Sequence, residues 1–436
     1  MLPATGEKLL QIYNVCGKRV CTDTRKIEPG SLFFCLKGAN FDGNEFANAA
    51  LKAGAAFVVA DNPAVCNDSR ILYVQDALES LQNLAHLRRK SMKDTTFLGI
   101  GGSNGKTTTK ELCLCVLQSF KKTKATVGNL NNHIGVPLTI LGLPDDTEVA
   151  IIEMGTNHPG EMKVLCEIAE ADLGIVTNVG KEHLEGFKDL EGVAREESEL
   201  YLQLARQNGT ALVNADDPWL GNMGKRLQNK LTFGLTADAD VRAVILSAMP
   251  YLQFELWIRG ENQGAFQARI GGEFNIYNIL AAIATGITLG AKASDCAHAA
   301  CAYQPGNNRS EWREVGNKKV LLDAYNANPS SVEAALKSFA TLNGKKAVML
   351  GDMLELGSHS EAEHLAIFKL CQVLKFDEIY LCGQEFMKVC GQYPLVFENT
   401  SILNSWLKEN PSSADFVLLK GSRGMKMENA LEGLSA

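Results

Sequence analysis

Leu98-Gly-Ile-Gly-Gly-Ser-Asn-Gly-Lys-Thr-Thr-Thr-Lys-Glu111 is the stretch on which the reading of this 436-residue chain turns. A strand-like lead-in, Thr96-Phe97-Leu98, enters a glycine-rich turn, and residues 111–117 beyond it have helical character. That order suits a phosphate cradle. Glycines let backbone N–H groups converge on phosphate oxygens, and a helix N-terminus adds partial positive charge. Gly102, Ser103, Asn104, Gly105, Lys106, Thr107 and Thr108 are the expected contacts to a nucleoside triphosphate. Lys106 is placed to reach the β- and γ-phosphates, and the Thr107 hydroxyl to bind Mg²⁺. The general pattern asks for glycine at 100, where Ile100 stands, so the loop is a variant. A tight turn with a stray lysine is the plain alternative, and the strand–turn–helix context argues against it.

Working outward, the chain falls into three blocks. Residues 1–92 alternate strand and helix signals, as in 31–36 and 55–60, and end in a charged helix-like segment, 81–93. Residues 93–307 hold the loop and further apolar runs at 149–152, 173–177 and 209–214, separated by helical stretches. Residues 308–436 repeat the alternation after a Gln304-Pro-Gly-Asn-Asn308 break, with short buried strands at 320–322, 347–350, 378–381 and 416–419. The expected class is α/β. A central, mostly parallel P-loop-type sheet domain is flanked by an N-terminal α/β domain and a C-terminal Rossmann-like domain.

Composition narrows the function. Hydrophobic residues make up 46% and charged residues 21%, with a net charge of −7, an ordinary globular balance. It favours neither nucleic acid nor an anionic membrane as partner. The start lacks a basic segment followed by an apolar core, and no run is long enough to span a bilayer, so a cytoplasmic protein without membrane insertion is expected. Twelve cysteines with no Cys-x-x-Cys pair read as reduced thiols rather than as a disulfide framework or a zinc site.

Several polar constellations follow strands. Glu153 closes an apolar run and is placed to bind the nucleotide's Mg²⁺, although a surface glutamate would look the same. His183 lies in the polar loop Thr177-Asn-Val-Gly-Lys-Glu-His183; a lone histidine is more often structural, but this loop shares the sheet edge. The acids Glu191, Glu196, Glu197 and Glu199 line a helical stretch whose default is a solvated face, with one of them free to point at the nucleotide. Residues 126–139, rich in asparagine and glycine, suit a substrate-positioning loop or a capped turn. Asn275 and Asn278 near a helix start suit caps or a base edge. Three loops, 323–331, 350–357 and 419–424, form a second set at strand C-terminal ends, where open α/β sheets bind ligands.

Together, Gly-Ser-Asn-Gly-Lys-Thr-Thr at 102–108, Asn-Asn-His-Ile-Gly-Val-Pro at 131–137, Glu-Met-Gly-Thr-Asn-His-Pro-Gly-Glu at 153–161, Asn-Ala-Asp-Asp-Pro at 214–218 and Tyr-Asn-Ala-Asn-Pro at 325–329 resemble the Mur ligases of peptidoglycan synthesis. The likeness runs from Asp23-Thr-Arg25 to 420–423. The 325–329 and 351–357 runs are similar to those of members that take D-alanyl-D-alanine. The resemblance implies a UDP-sugar domain over 1–92, an ATP domain over 93–307 and a domain over 308–436 that binds the incoming dipeptide and closes on ATP. It implies that ATP and two Mg²⁺ ions serve to phosphorylate the terminal carboxylate of UDP-N-acetylmuramoyl-tripeptide, after which D-Ala-D-Ala attacks the acyl phosphate; the oligomeric state stays open, with a monomer as the default expectation. The catalytic centre implied is Lys106, Glu153 and His183, with Thr107, Glu153, His183 and Glu197 as metal ligands. Asn275 and Asn278 fall where the family touches adenine, and Arg309 and Asp323 where the third domain meets phosphates and ribose. Thr24, Arg25, Asp42, Gly43 and Asn132 would serve the UDP-sugar substrate, and Tyr325, Asn326 and Asn328 the dipeptide.

Three positions depart from the family. Glu197 stands where most relatives carry a carbamylated lysine, and a permanent carboxylate in place of the carbamate is the expectation. Gly101 replaces a common threonine and Asn44 a common histidine. A ligase adding a single third residue is the alternative within the family, but its Asp-Asn-Pro-Arg motif is absent. A regulatory P-loop module is the alternative outside it, and the sugar-nucleotide and third-domain motifs count against it. The third residue of the tripeptide and the arrangement of the domains stay open, since such ligases close around substrates and can stand open without them.

Overall fold

The computed structural model describes residues 2–435. Its three α/β units each carry their own sheet, as the alternation of apolar and helical segments leads one to expect. The first is a four-stranded parallel sheet in the order 20–21, 32–34, 57–60, 71–73. Leu32-Phe-Phe34 is buried at every position, as a strand covered on both faces must be. The helix Ala77–Ser91 starts at Asp76, whose carboxylate accepts the Glu79 N–H at 2.8 Å. Its buried positions Ala77, Leu81, Leu84, Ala85 and Arg88 form one helical face.

That face rivets the first unit to the second. Arg88 donates to Leu143 O at 3.1 Å and to Asp145 at 2.6 Å. Arg89 pairs with Asp172 at 3.0 Å and lays its guanidinium 4.2 Å from the Phe97 ring centroid. The fully buried Tyr13 donates its hydroxyl to Leu141 O at 2.5 Å. Burial pushes the Tyr13 phenol up to about 12, so it stays a donor across the physiological range. Tyr13→Phe leaves that carbonyl without its partner and is expected to cost about 1–3 kcal/mol. A lower urea midpoint with unchanged far-UV circular dichroism is the readout.

The central sheet has nine strands, in the order 261–267, 253–258, 241–247, 230–234, 210–214, 173–176, 96–101, 149–153, 123–125. The last seven are parallel; Gln253–Ile258 and Glu261–Gln267 add an antiparallel edge. Thr96–Gly101 lies between Val149–Glu153 and Leu173–Val176, with Ile100 opposite Glu153 and Gly101 opposite Val176. The phosphate loop, Glu153 and the His183 loop therefore leave the sheet at one edge. The chain departs to one side of Thr96–Gly101 and returns on the other, the kind of reversal at which α/β sheets bind ligands.

The third unit orders its six strands 311–315, 318–323, 416–420, 346–351, 378–382, 396–397, all parallel except the first. Asp323 lies opposite Lys420, so the loops that follow them also share an edge. The second and third units are packed together. Leu184 of the central unit sits in the core of the third, and Trp312 Nε1 donates to Pro250 O at 2.8 Å. Lys181 joins them twice, through its N–H to Ser330 Oγ at 3.0 Å and its ammonium to Glu363 at 2.5 Å.

The acidic helix Leu190–Arg206 differs from a solvated face. Glu196 and Glu197 are buried at its inner side, and Glu196 accepts the N–H groups of Gly160 and Met162 at 2.7 and 2.6 Å. All twelve cysteines are free thiols. No helix among the described residues is long and apolar enough to cross a membrane.

Candidate active site

The two sets of loops face each other across a cavity of about 900 Å³. Ser103 to Thr108, Glu153, Glu182 and His183 line one side, and Arg309, Asp323, Tyr325, Asn326, Asn328, Lys420 and Arg423 the other. Asn328 Nδ2 donates across the divide to Asn104 Oδ1 at 2.8 Å.

Two glycines shape the phosphate loop. Gly102 holds φ at +111° and Gly105 at +82°, and helix Lys106–Gln118 starts directly after Gly105. The first half of the loop differs from expectation. Its N–H groups are taken by protein acceptors: Gly102 by Glu197 Oε2 at 2.5 Å, Ser103 by Asn178 O at 2.9 Å, Asn104 by Asn178 Oδ1 at 3.1 Å. Gly102 does not line the cavity. The N–H groups of Lys106, Thr107 and Thr108, which open the helix, have no carbonyl acceptor within it and are the ones left to meet an anion.

Lys106 donates its ammonium to Gly102 O and lies 3.5 Å from Glu182 Oε2. Burial works against its charge, but Glu182, Glu197 and Glu153 outweigh that and hold it above the usual range. Glu153 is 2% exposed; its Oε1 accepts from Thr107 Oγ1 at 3.1 Å and Asn131 Nδ2 at 2.9 Å. Its Oε2 has no hydrogen-bond partner and stands 3.7 Å from the buried Lys110 ammonium. Glu197 is 1% exposed, and burial pushes its carboxyl up to about 8 against the pull of Lys106.

The expected metal ligands are not all brought together. Thr107 and Glu153 touch, whereas Glu197 is committed to Gly102 N–H and to Thr156 Oγ1 at 3.5 Å. His183, at φ +43°, turns its Nδ1 to Glu355 Oε2 at 2.6 Å and so holds the Glu355 carboxyl below its usual range. Among the described residues no three His, Cys, Asp or Glu side chains cluster closely enough to hold a metal. The donors facing the cavity still fit magnesium. Thr107 Oγ1 and the carboxylates of Glu153, whose Oε2 is ion-paired with Lys110, and of Glu182 are hard oxygen ligands.

Asn275 and Asn278 line the cavity but are not helix caps. Asn275 Nδ2 donates to Gly271 O at 2.7 Å, and Asn278 Nδ2 to Asn275 Oδ1 at 2.9 Å. Asn278 Oδ1 accepts from Thr109 and lies 2.6 Å from where a Cβ on Gly105 would stand, so it backs the loop. Across the cavity Arg309 stacks 3.6 Å from the Tyr325 ring centroid and Arg423 5.3 Å from it. Asp323 accepts from Lys420 at 2.6 Å and from Ser310 N–H at 3.1 Å. Asn326 bonds its own chain at Ala327, and Asn328 caps helix Pro329–Ala340.

The residues expected to serve a UDP-sugar divide. Asn132 lines the cavity while its Oδ1 caps Ile134 and Gly135. Thr24, Arg25, Asp42 and Gly43 do not line it. Arg25 folds back on Asp23 at 2.8 Å, and Asp42 accepts the N–H and Nδ2 of Asn44. Asn44 is 2% exposed and ties Asp42 to Asp61, a structural role.

Four residues at the site lie within the quoted stretches yet carry no role assigned from the sequence: Lys110, Asn131, Asn178 and Glu182. Lys110 carried a usable signal, since it follows Lys106 by one helical turn on the same face. Glu182 adjoins the quoted His183, but nothing local says that it faces inward.

Fold and site define a ligase-type nucleotide site, and the comparisons agree. Residues 18–89 match the Mur ligase family catalytic domain, 100–286 the Mur ligase middle domain and 308–423 the Mur ligase glutamate ligase domain. The chain belongs to the Mur ligase family. It is 34% identical to the UDP-N-acetylmuramoyl-tripeptide–D-alanyl-D-alanine ligase of Bacillus subtilis over 95% of this chain and 92% of that one. For the enzyme of the same name in Escherichia coli the identity is 31%, over 98% and 95%. MurF from Acinetobacter baumannii superposes with a TM-score of 0.89 at 28% identity, over 100% of this chain and 99% of that one. MurF ligase from Thermotoga maritima in complex with ADP gives 0.88 at 26%, over 97% and 98%.

Proposed function

We propose that this protein joins D-alanyl-D-alanine to UDP-N-acetylmuramoyl-tripeptide at the expense of ATP, as a cytoplasmic monomer. The observation that carries the reading is the single cavity in which Lys106, Thr107 and Glu153 face Asp323, Tyr325, Asn328 and Arg423. A carboxylate is a poor electrophile. Its oxygen takes the γ-phosphoryl group, ADP leaves, and the acyl carbon becomes open to the amine of the dipeptide. Phosphate then departs as the amide bond forms. Lys106 stabilises the charge gathered on the transferring group, and the helix-start N–H groups hold the phosphates in place. Magnesium, held by Thr107 and Glu153, would neutralise the phosphate oxygens. Arg309 and Arg423 supply positive charge from the opposite wall, and the Asn328–Asn104 bond ties that wall to the loop.

With ATP, Mg²⁺ and both peptide substrates, phosphate release is expected only when tripeptide nucleotide and D-Ala-D-Ala are both present. Release with single D-Ala or another amino acid, and none with the dipeptide, would overturn the proposal.

A further inference from the structure

Four Lys and Arg side chains among the described residues line the cavity: Lys106, Arg309, Lys420 and Arg423. Three of them are engaged. Lys106 donates to Gly102 O and sits among carboxylates. Lys420 gives its ammonium to Asp323 at 2.6 Å and to Asn326 O at 3.3 Å. Arg309 stacks on Tyr325, at the end of the cavity where Ser310 Oγ meets Asn275 at 3.5 Å. Arg423 is held more lightly: its side chain is 63% exposed, and its ion pair with Glu428 is long, at 4.0 Å. It belongs to the other end. Ser422, its chain neighbour, accepts the Leu354 N–H at 2.9 Å, and Leu354 precedes the Glu355 that meets His183. Leu354 is 46% exposed and lines the same cavity, and its Cδ1 stands 3.4 Å from where a Cβ on Gly424 would be. A large apolar side chain left open inside a polar cavity, next to a lightly held guanidinium, suits a ligand that brings methyl groups and a carboxylate together.

We propose that Arg423 receives the free terminal carboxylate of the incoming dipeptide, whose methyl groups lie toward Leu354. The inference rests on the proposed ligase reaction and deepens it, because it makes Arg423 a specificity-determining residue for a substrate with an unblocked C-terminus. The asparagines expected to serve the dipeptide are less free to do so. Asn328 gives Nδ2 to Asn104, and its Oδ1 accepts the Ser331 N–H of its own helix; Asn326 spends its oxygen on Ala327 N–H. A guanidinium meets a carboxylate through two parallel N–H···O bonds, which an ammonium does not copy and a neutral carboxamide does not attract.

Rates of ligation with D-Ala-D-Ala and with its C-terminal carboxamide, at saturating ATP and tripeptide nucleotide, test this. The wild-type chain is expected to prefer the acid by on the order of 30-fold in kcat/KM. Arg423→Gln should raise KM for the acid by about as much, leave KM for ATP within about twofold, and bring the acid-to-amide ratio close to one. Arg423→Lys should keep part of the preference. Leu354→Ala should weaken acid and amide alike and leave their ratio unchanged. A wild-type chain without preference, a ratio that survives in Arg423→Gln, or a KM for ATP that rises as much as that for the dipeptide would overturn the role of Arg423 and leave the ligase reading intact. No pentapeptide from the wild-type chain with D-Ala-D-Ala would overturn the ligase reading, and this inference with it.

Discussion

Lys106→Met is expected to lower kcat/KM for ATP by on the order of 10³-fold. The substitution preserves the length of the stem and removes the ammonium, which on the proposed mechanism meets the transferring phosphoryl group. The structure adds a second expectation. Glu182 and Glu197 are buried beside this ammonium, so its loss leaves two carboxylates without their nearest cation. A cost of about 1–3 kcal/mol in stability should follow. Lys106→Met with Glu182→Gln should recover part of that stability and none of the activity. Steady-state phosphate release and thermal unfolding of the three proteins check both halves. Near-normal turnover in the single variant would show that the loop does not meet the reacting phosphate.

Gly102→Ala should be about as damaging, for a steric reason. A Cβ at this position would stand 2.2 Å from Thr177 Oγ1 and 2.6 Å from the Thr177 backbone nitrogen. Thr177 cannot retreat, because its N–H donates to Gly101 O at 3.1 Å where strands Thr96–Gly101 and Leu173–Val176 meet. The φ of +111° is itself open only to glycine at low cost. Strain and overpacking together should cost about 2–4 kcal/mol and weaken nucleotide binding more than tenfold. Gly128→Ala is the control: its φ is +59° with nothing within 4 Å, and about 1 kcal/mol is expected. Chemical denaturation and titration with the ATP analogue read the two effects. Equal losses in the two variants would mean that the contact with Thr177 yields.

Much of this was legible in the primary structure because the phosphate loop combines local signals that agree. An apolar strand, glycines, a lysine and a helix start all lie within 96–118, and each means the same thing locally and globally. The antiparallel strands between Val241 and Gln267 were not legible. Glu261–Gln267 is exposed at most positions and rich in Asn, Gln and Gly, so it shows no apolar alternation; it is a strand because Gln253–Ile258 offers a ladder. The site residues divide in the same way. Residue type marked Glu153 and Lys106, whereas the commitments of individual oxygens depend on partners far along the chain. Glu197 reaches Gly102 across 95 residues, and Asn328 reaches Asn104 across 224. Asn44 shows the converse. A polar residue next to a suspected substrate stretch proved to be a buried link between two aspartates.

On the proposed mechanism this cavity makes an acyl phosphate from a peptide carboxylate. An isotope experiment supplies UDP-N-acetylmuramoyl-tripeptide labelled with ¹⁸O in the terminal carboxylate, together with ATP, Mg²⁺ and D-Ala-D-Ala. Mass spectrometry then follows both products. The expected result is the pentapeptide nucleotide and released phosphate carrying one ¹⁸O atom per turnover. Unlabelled phosphate, or labelled substrate returned without any pentapeptide, would contradict it.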